Sequence, residues 1–409
     1  MIDFTLTKSQ ASMKEMLHEF AKGVVRPLSL KADAEHKIPD EFLLRFSQMR
    51  SMMSGDVPAE YGGGAETKNK SASDQKKASQ RNRFALVGAE ELAWGDASVL
   101  LSLPGPGLGG PPVQFTGTPA QKERFLGIFK NPNELHFGAY GLTEPNAGSD
   151  VAGIRTSCRR DGNDWILNGR KCYITNGAKA DWVVIFATLD PTQGRAGHRA
   201  FVVEKGTPGF SVGKIEEKMG LRASETAELV LEDCRVSTDN LLGGLAHYEG
   251  KANSEGFKAA MKTFDSTRPM VGIMAVGIAR AAFETTRDFV RENYMLGRPL
   301  ARYALLADKL AESAQKIDAA RLLCWNAAYL ADNDVPNAKE ASMAKAYAAQ
   351  VAMKICADAV QILGAHGLEQ SRFVEKWYRD IKVYDIFEGT AQIQRVVISK
   401  RILREQPSF

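Results

Sequence analysis

One carboxylate near the C-terminus has a setting suited to removing a proton from a carbon acid. Glu388 follows Ile386 and Phe387, and Gly389 permits a sharp bend before the tract TAQIQR restarts a helix that Thr390 is suited to cap. A carboxylate placed between apolar residues is desolvated, which raises its pKa and makes it a stronger base. Because the helix dipole also favours an acid just ahead of a helix, the spacing alone favours a structural role.

Two further tracts could hold a polar or ring-shaped ligand. Residues 138–150, GAYGLTEPNAGSD, end a predicted strand in a Gly/Ser turn that presents hydroxyl and backbone N–H groups. Residues 168–177, NGRKCYITNG, carry Asn-Gly pairs typical of hairpin turns on both sides of a strand. Because side chains alternate along a strand, Tyr173 and Thr175 face the same way and could meet a planar cofactor. Taken alone, the first tract fits an ordinary strand exit equally well, and a Tyr/Thr pair more often packs a sheet.

The composition excludes several classes of protein. A chain of 409 residues, 44% hydrophobic and 25% charged, indicates a globular protein of two or three packed units. A net charge of +4 is too small for a nucleic-acid interface, and the five cysteines form no CxxC pair, so we predict no metal site. We find no stretch apolar for the length of a membrane span and no apolar signal segment, and therefore expect a cytoplasmic protein.

The hydrophobic pattern changes twice along the chain. Apolar residues recur at helical spacing near the N-terminus, and a polar Gly- and Lys-rich tract at 62–82 predicts a loop. Between 134 and 236 the period is two, as in strands, and from 256 onward three long Ala-rich tracts are again helical. We therefore predict an α+β fold with an N-terminal helical domain at 1–133, a middle β domain at 134–250 and a C-terminal helical domain at 251–409.

Five tracts in one order resemble the acyl-CoA dehydrogenase family, and the resemblance covers nearly the whole chain. In chain order they are LTEPNAGSD, KCYITNG, FKAAMKTFDSTRP, QILGAHG and IFEGTAQIQR. The resemblance implies N-terminal helices, a middle antiparallel β domain and a C-terminal four-helix bundle. It also implies FAD as cofactor, an acyl-CoA as substrate, an electron-transfer flavoprotein as electron acceptor, and assembly as a homotetramer or homodimer.

The resemblance assigns roles by position. Glu388 matches the family's base, which takes the α-proton of an acyl thioester while the β-hydride passes to flavin N5, giving a trans-2-enoyl-CoA. The backbone N–H of the base and a ribityl hydroxyl hydrogen-bond the thioester carbonyl. The implied cofactor-binding residues are Tyr140, Leu142, Thr143, Ser149, Tyr173, Thr175, Gln361, Gly364, Ala365, Thr390 and Gln392, and the implied substrate-binding residues are Ser149, Asp265, Arg268 and Gly389. The alternative for Asp265 and Arg268 is a purely structural role as an ion pair at the start of a helix.

Two tracts depart from the family pattern. Asn293 and Ala304 stand where members commonly have Arg and Gln contacting the FAD diphosphate, so we expect weaker FAD retention. Residues 102–112, SLPGPGLGGPP, carry little side-chain volume around Pro104 where members close the acyl pocket. A deep apolar pocket would favour medium, long or bulky acyl groups, whereas a helix break that seals the cavity predicts the opposite trend.

Two other functions stay open at this point. An acyl-CoA oxidase would share the fold, although the retained Glu388 argues against most flavin oxidases and monooxygenases of this type. The substitutions at Asn293 and Ala304 also fit a catalytically weak paralogue that acts as an assembly or binding module.

Overall fold

The structure, a computed structural model, describes residues 4–53, 80–249 and 255–404. The loop predicted at 62–82 therefore lies almost entirely outside the described residues. Helices come first and last along the chain, and one seven-stranded sheet lies between them.

The N-terminal helices begin at a capping box. The Thr7 hydroxyl accepts a hydrogen bond from the Gln10 N–H, and the Gln10 side chain accepts one from the Thr7 N–H. The first helix continues through one π-helical turn at Ala21–Val25 into the second. The helices of this part are α1 Lys8–Phe20, α2 Arg26–Glu35, α3 Asp40–Met53, α4 Arg81–Leu101, α5 Gly110–Thr116 and α6 Pro119–Gly127.

The middle of the chain forms the sheet. Its strands are β1 Gly138–Gly141, β2 Ser157–Asp161, β3 Asp164–Thr175, β4 Trp182–Thr188, β5 His198–Glu204, β6 Phe210–Ile215 and β7 Thr226–Ser237. The strand order is β1-β4-β2-β3-β7-β6, with β5 paired to β4. Most pairs are antiparallel as expected, but β1 and β2 each pair with β4 in parallel. The sequence pattern missed β2 and β6, because both are largely exposed and lack an alternating apolar face.

One hairpin predicted from the sequence is wrong. Asn168 and Gly169 lie inside β3, where the pairing register to β7 shifts, and form a bulge and not a turn. A side chain at position 169 would come within 2.5 Å of the Thr156 hydroxyl on the neighbouring segment. This close approach requires a glycine at position 169. Because an Asn-Gly pair is also typical of a hairpin turn, the sequence alone does not distinguish the bulge from a turn.

The C-terminal part contains the longest helices. They are α7 Glu255–Glu292, α8 Ala304–Asp332, α9 Ala338–Leu363, α10 Val374–Tyr384 and α11 Ala391–Ile402, with a short hairpin of β8 Tyr294–Met295 and β9 Arg298–Pro299 after α7. Within the part of the chain that the structure describes, one stretch, 338–368, is long and apolar enough to cross a membrane, judged by length and composition alone. Helices α7, α8, α10 and α11 all pack on α9, as expected for a core helix.

A buried charged cluster joins the three parts of the chain. Asp96 interrupts α4 with non-helical φ and ψ angles, and its side chain accepts the N–H groups of Ser98 and Val99. Lys376 of α10 bridges Asp96 at 2.9 Å and Asp380 at 2.5 Å, and Asp380 accepts the N–H of Leu221 beyond β6. A charge cluster this deeply buried is tolerable because each member is paired.

Candidate functional site

The candidate base lies on a tight loop between α10 and α11. Glu388 has a φ angle of 53°, in the left-handed region that is strained for a residue with a side chain, and Gly389 follows at 90°. The Ala391 N–H donates to the Asp385 carbonyl across the loop at 3.1 Å. Thr390 caps α11 by accepting the Ile393 N–H, which confirms the cap predicted from the sequence.

Glu388 is half-buried as a residue, and the surrounding protein desolvates its carboxyl group. Desolvation by burial raises its pKa above the usual range, as the sequence predicted, and outweighs three groups that favour the charged form. The Thr267 hydroxyl donates to Oε2 at 2.6 Å, and the positive charges of Arg268 and Lys345 lie nearby. The result is a carboxylate that is less solvated, and more basic, than one at the surface.

Two buried side chains hold the backbone of this loop. Lys345 of α9 donates from Nζ to the Gly389 carbonyl at 2.8 Å. Gln394 of α11 donates from Nε2 to the Glu388 carbonyl at 3.1 Å and to the Gly389 carbonyl at 2.9 Å. A Cβ at position 389 would lie 2.6 Å from that same nitrogen, so glycine permits this contact as well as the bend.

A tyrosine of the sheet faces the same region. Tyr140 of β1 is 9% exposed and packs against Phe186 and Phe264 at ring-centroid distances of 5.1 and 5.8 Å. Burial, and then the charge of Glu388, raise the pKa of its hydroxyl. That hydroxyl has no hydrogen-bond partner among the described residues. A buried hydroxyl without a partner is rare and marks a place where a ligand can bind.

The loop after β1 is fixed by a buried ion pair. Leu142 and Thr143 are held through their carbonyl groups, which accept from the Lys171 ammonium at 3.2 Å and from the Cys172 N–H at 2.9 Å. Lys171 also binds Glu144 at 2.6 Å, with both side chains buried. Burial lowers the pKa of Lys171 to about 8 in spite of Glu144, so the pair is charged at neutral pH.

The remaining residues that the sequence singled out lie on exposed or half-exposed surfaces. Ser149 is exposed at the end of the loop after β1. On β3, Tyr173 is 66% exposed and has a φ of 58° within a register shift of the pairing to β7, while Ile174 is buried and Thr175 is half-buried. Gln392 is also exposed, on α11.

The QILGAHG tract is held by α8. Gln361 is exposed near the end of α9 and accepts a hydrogen bond from Lys309 of α8 at 2.7 Å. Gly364, at a φ of 58°, and Ala365 follow at the surface. None of the described contacts joins this tract to the Glu388 loop.

The helix-start alternative for Asp265 and Arg268 does not hold. Both residues lie inside the 38-residue helix α7, ten or more residues after its start at Glu255. The Asp265 side chain is outside the described part of the structure. Arg268 is 5% exposed, and its charge acts on Glu388.

Three residues of the site were missed by sequence reasoning. Thr267 lies inside the FDSTRP tract but its type is too common to single out. Lys345 carried a usable signal, because Ala341 and Ala348 place it on an apolar helix face where a lone lysine is unusual. Gln394, two residues beyond the predicted contact Gln392, gave no signal that distinguishes it from a helix-surface glutamine.

The Pro/Gly tract at 102–112 packs against the sheet. The Gly105 N–H donates to the His136 carbonyl and the Gly138 N–H to the Gly105 carbonyl. Side chains at Gly109 and Gly138 would come within 2.5 Å of the Ala139 carbonyl and 2.6 Å of the Pro106 carbonyl. The small residues therefore permit close backbone contact with β1, which accounts for them without a deep acyl pocket.

A cavity of about 560 Å³ lies elsewhere, between α1, α4, α7 and α8. Its charged lining is paired internally: Arg280 binds Glu90 at 2.7 Å and also Glu91, and Arg321 binds Glu90 at 2.9 Å. None of the candidate site residues lines it. We regard this network as a structural support of the helices.

The comparisons with known proteins agree with this architecture. Family models described as the N-terminal, middle and C-terminal domains of acyl-CoA dehydrogenase match residues 7–129, 139–234 and 254–403. The short-chain specific acyl-CoA dehydrogenase of Clostridium acetobutylicum is 38% identical over 98% of this chain and 100% of its own length. The chain belongs to the acyl-CoA dehydrogenase family.

Two solved structures have the same fold. Butyryl-CoA dehydrogenase from Megasphaera elsdenii superposes with a TM-score of 0.86 at 34% identity, covering 98% of this chain and 100% of that one. A chain from the structure described as electron transferring flavoprotein of Acidaminococcus fermentans gives a TM-score of 0.85 at 36% identity, covering 99% and 100%. Both named dehydrogenases are described by short acyl groups, whereas the sequence led us to expect medium, long or bulky ones.

The protein is an FAD-dependent oxidoreductase acting on CH–CH bonds. The residues present fit this cofactor. The buried Tyr140 hydroxyl lacks a partner within the described chain, and the Tyr173 ring on β3 is exposed. A flat ring system with polar edges would satisfy both features.

Proposed function

We propose that the protein dehydrogenates short-chain acyl-CoA thioesters at the α,β bond, with Glu388 as the base. The observation that carries this proposal is the desolvated carboxyl group of Glu388, hydrogen-bonded by Thr267 at 2.6 Å. The short-chain and butyryl-CoA relatives support the substrate class. The acyl-CoA oxidase and the binding-module alternatives are not favoured, because these relatives are dehydrogenases.

The chain's own residues perform the proton transfer. Glu388 takes the α-proton, and because the Thr267 hydroxyl occupies Oε2, the other carboxylate oxygen is left to receive it. The backbone N–H of Glu388 polarises the thioester carbonyl and makes the α-carbon acidic. FAD, when bound, supplies the acceptor for the hydride that leaves the β-carbon.

We further propose the contacts to both ligands. Ser149, Asp265, Arg268 and Gly389 contact the acyl-CoA. The cofactor contacts within one subunit are Tyr140, Leu142, Thr143, Ser149, Tyr173, Thr175, Thr390 and Gln392, whereas Gln361, Gly364 and Ala365 contact the FAD of a neighbouring subunit.

An electron-transfer flavoprotein as acceptor and assembly as a homotetramer or homodimer complete the proposal. The similarity to the chain from the Acidaminococcus fermentans structure supports the acceptor. The apolar hairpin residues Tyr294, Met295 and Leu296 are exposed, as expected of a surface that another subunit covers. The cytoplasmic location and the three domain boundaries stay predictions.

The substitution Glu388→Gln tests the role of the base. The amide keeps the shape and loses the basicity, so anaerobic reduction of the flavin by butyryl-CoA should slow by about 10² to 10⁴-fold. Flavin content and far-ultraviolet circular dichroism should match those of the parent. A variant that reduces its flavin at the parental rate would show that another residue is the base.

A further inference from the structure

A fully buried lysine lies behind the Glu388 loop. Lys345 is 0% exposed on α9, and its neighbours one turn away, Ala341 and Ala348, are apolar and buried. Burial of an ammonium group is costly and here lowers its pKa to about 8. Its bond to the Gly389 carbonyl and the nearby carboxylates of Glu388 and Asp385 favour the charged form of the ammonium group.

The loop that Lys345 contacts needs external support. Glu388 is in the left-handed region, a strained conformation that persists only when its surroundings fix it. Lys345 approaches the Gly389 carbonyl from α9, and Gln394 approaches the Glu388 and Gly389 carbonyls from α11. Two helices therefore donate to the Gly389 carbonyl, and α11 donates to the Glu388 carbonyl as well.

The Lys345 ammonium also belongs to the charge environment of the carboxylate. Among the side chains that the structure describes, those that interact with Glu388 are Thr267 and Arg268 from α7, Lys345 from α9 and Tyr140 from β1. Of the two cations, Arg268 is on the helix that also carries Thr267, whereas Lys345 alone contacts the loop backbone. A positive charge beside a carboxylate favours its ionised form.

We propose that Lys345 is a positioning residue for proton abstraction, which together with Gln394 holds the Gly389 carbonyl, and with it the strained Glu388 loop, and which keeps the Glu388 carboxylate ionised. This inference rests on the proposed role of Glu388 as the base. Lys345 both holds the loop backbone and supplies a positive charge near the Glu388 carboxylate. Gln394 only holds the loop backbone, because its amide is neutral.

The two functions are separated by a pair of substitutions to methionine, which fits both buried sites. Flavin reduction by butyryl-CoA is measured anaerobically in a stopped flow between pH 5.5 and 9. Gln394→Met removes the hydrogen bonds from the Gln394 amide to the loop but no charge. The maximal rate should therefore fall about 10-fold, while the pH range over which the rate rises should stay the same. Lys345→Met removes both the hydrogen bond to the Gly389 carbonyl and the positive charge. The maximal rate should therefore fall, and the pH profile of the rate should move to higher pH, because Glu388 then ionises less readily.

The control is Lys316→Met, which removes a half-exposed lysine of α8 paired with Glu312 and outside the Glu388 site. It should leave rate, KM and pH profile unchanged. Should Lys345→Met lose its flavin or its fold, Lys345→Gln is measured in its place, and the profile should still move to higher pH. A parental pH profile in the lysine variant overturns the proposal.

The outcome is distinguishable from a failure of the proposed function. If Glu388→Gln reduces its flavin at the parental rate, the base is elsewhere and the proposed function fails. If Glu388→Gln is inactive and Lys345→Met keeps the parental rate and profile, only the role of Lys345 is refuted.

Discussion

At the residue scale, the site depends on the balance of forces on one carboxyl group. Burial raises the pKa of Glu388, while the Thr267 hydroxyl, Arg268 and Lys345 favour its ionised form. The base must be ionised to accept a proton, so activity should rise with pH through a range above that of an exposed glutamate. These three groups, two on α7 and one on α9, favour the ionised form that proton abstraction requires.

Removal of the Thr267 hydroxyl should shift this balance. Thr267→Val keeps the side-chain shape and removes the 2.6 Å hydrogen bond to Glu388, which raises the pKa of the carboxyl further. The pH profile of flavin reduction should move to higher pH, with the rate recovering as pH rises. Thr286→Val is the matched control on α7, because that hydroxyl donates to the Ala282 carbonyl. Identical profiles for parent and Thr267→Val would contradict this assignment.

At the element scale, the loop after β1 depends on the Glu144–Lys171 pair. Lys171→Met leaves the Glu144 carboxylate buried without its partner, which should reduce the free energy of unfolding by about 3–5 kcal/mol. Arg235→Met is the control, because the ion pairs of Arg235 with Asp161 and Asp164 are exposed and worth about 1 kcal/mol or less. Urea denaturation measures both, and equal losses would mean that the buried pair contributes no more than a surface one.

Asn293, between α7 and the hairpin that follows it, departs from the family pattern in a way that should weaken cofactor retention. The Asn293 side chain donates to the Phe289 carbonyl at 2.8 Å, at the end of its own helix, in place of a charged contact to a diphosphate. Asn293→Arg should therefore slow the loss of FAD during dialysis. Flavin absorbance relative to protein measures this. Full occupancy of the parent after prolonged dialysis would show that other residues hold the diphosphate.

How far the sequence predicts these elements depends on whether the signal is local. The long helices and the strands β3, β4, β5 and β7 followed from periodicity, because each buries one face or both. The bulge at Gly169 did not, since it is set by contact with Thr156 from another segment. Lys345 stands out in the sequence only as a lysine on an apolar helix face, and its contact with the Gly389 carbonyl, 44 residues away, leaves no local pattern. Gln394 contacts the loop just before its own helix, but its residue type gives no sign of this contact.

At the scale of the whole molecule, the acyl-chain preference follows from the packing of the Pro/Gly tract on β1. Because its glycines make backbone contact, the tract should close the pocket, and specificity constants measured over C4 to C16 acyl-CoAs should be greatest at the short end. Each further methylene that finds no apolar site forfeits about 0.8 kcal/mol of transfer free energy. A maximum at C8 or beyond would restore the deep-pocket interpretation.

The Asp96–Lys376–Asp380 cluster has a consequence for how the molecule melts. It joins α4, α10 and the backbone of Leu221 to one another. Separation of α4 from α10 breaks a buried ion pair, and separation of the segment around Leu221 removes a hydrogen-bond donor from the buried Asp380 carboxylate. Differential scanning calorimetry should therefore show one endotherm for all three parts, although a chain of this length could show several. The calorimetric and van't Hoff enthalpies should agree for each cooperative unit.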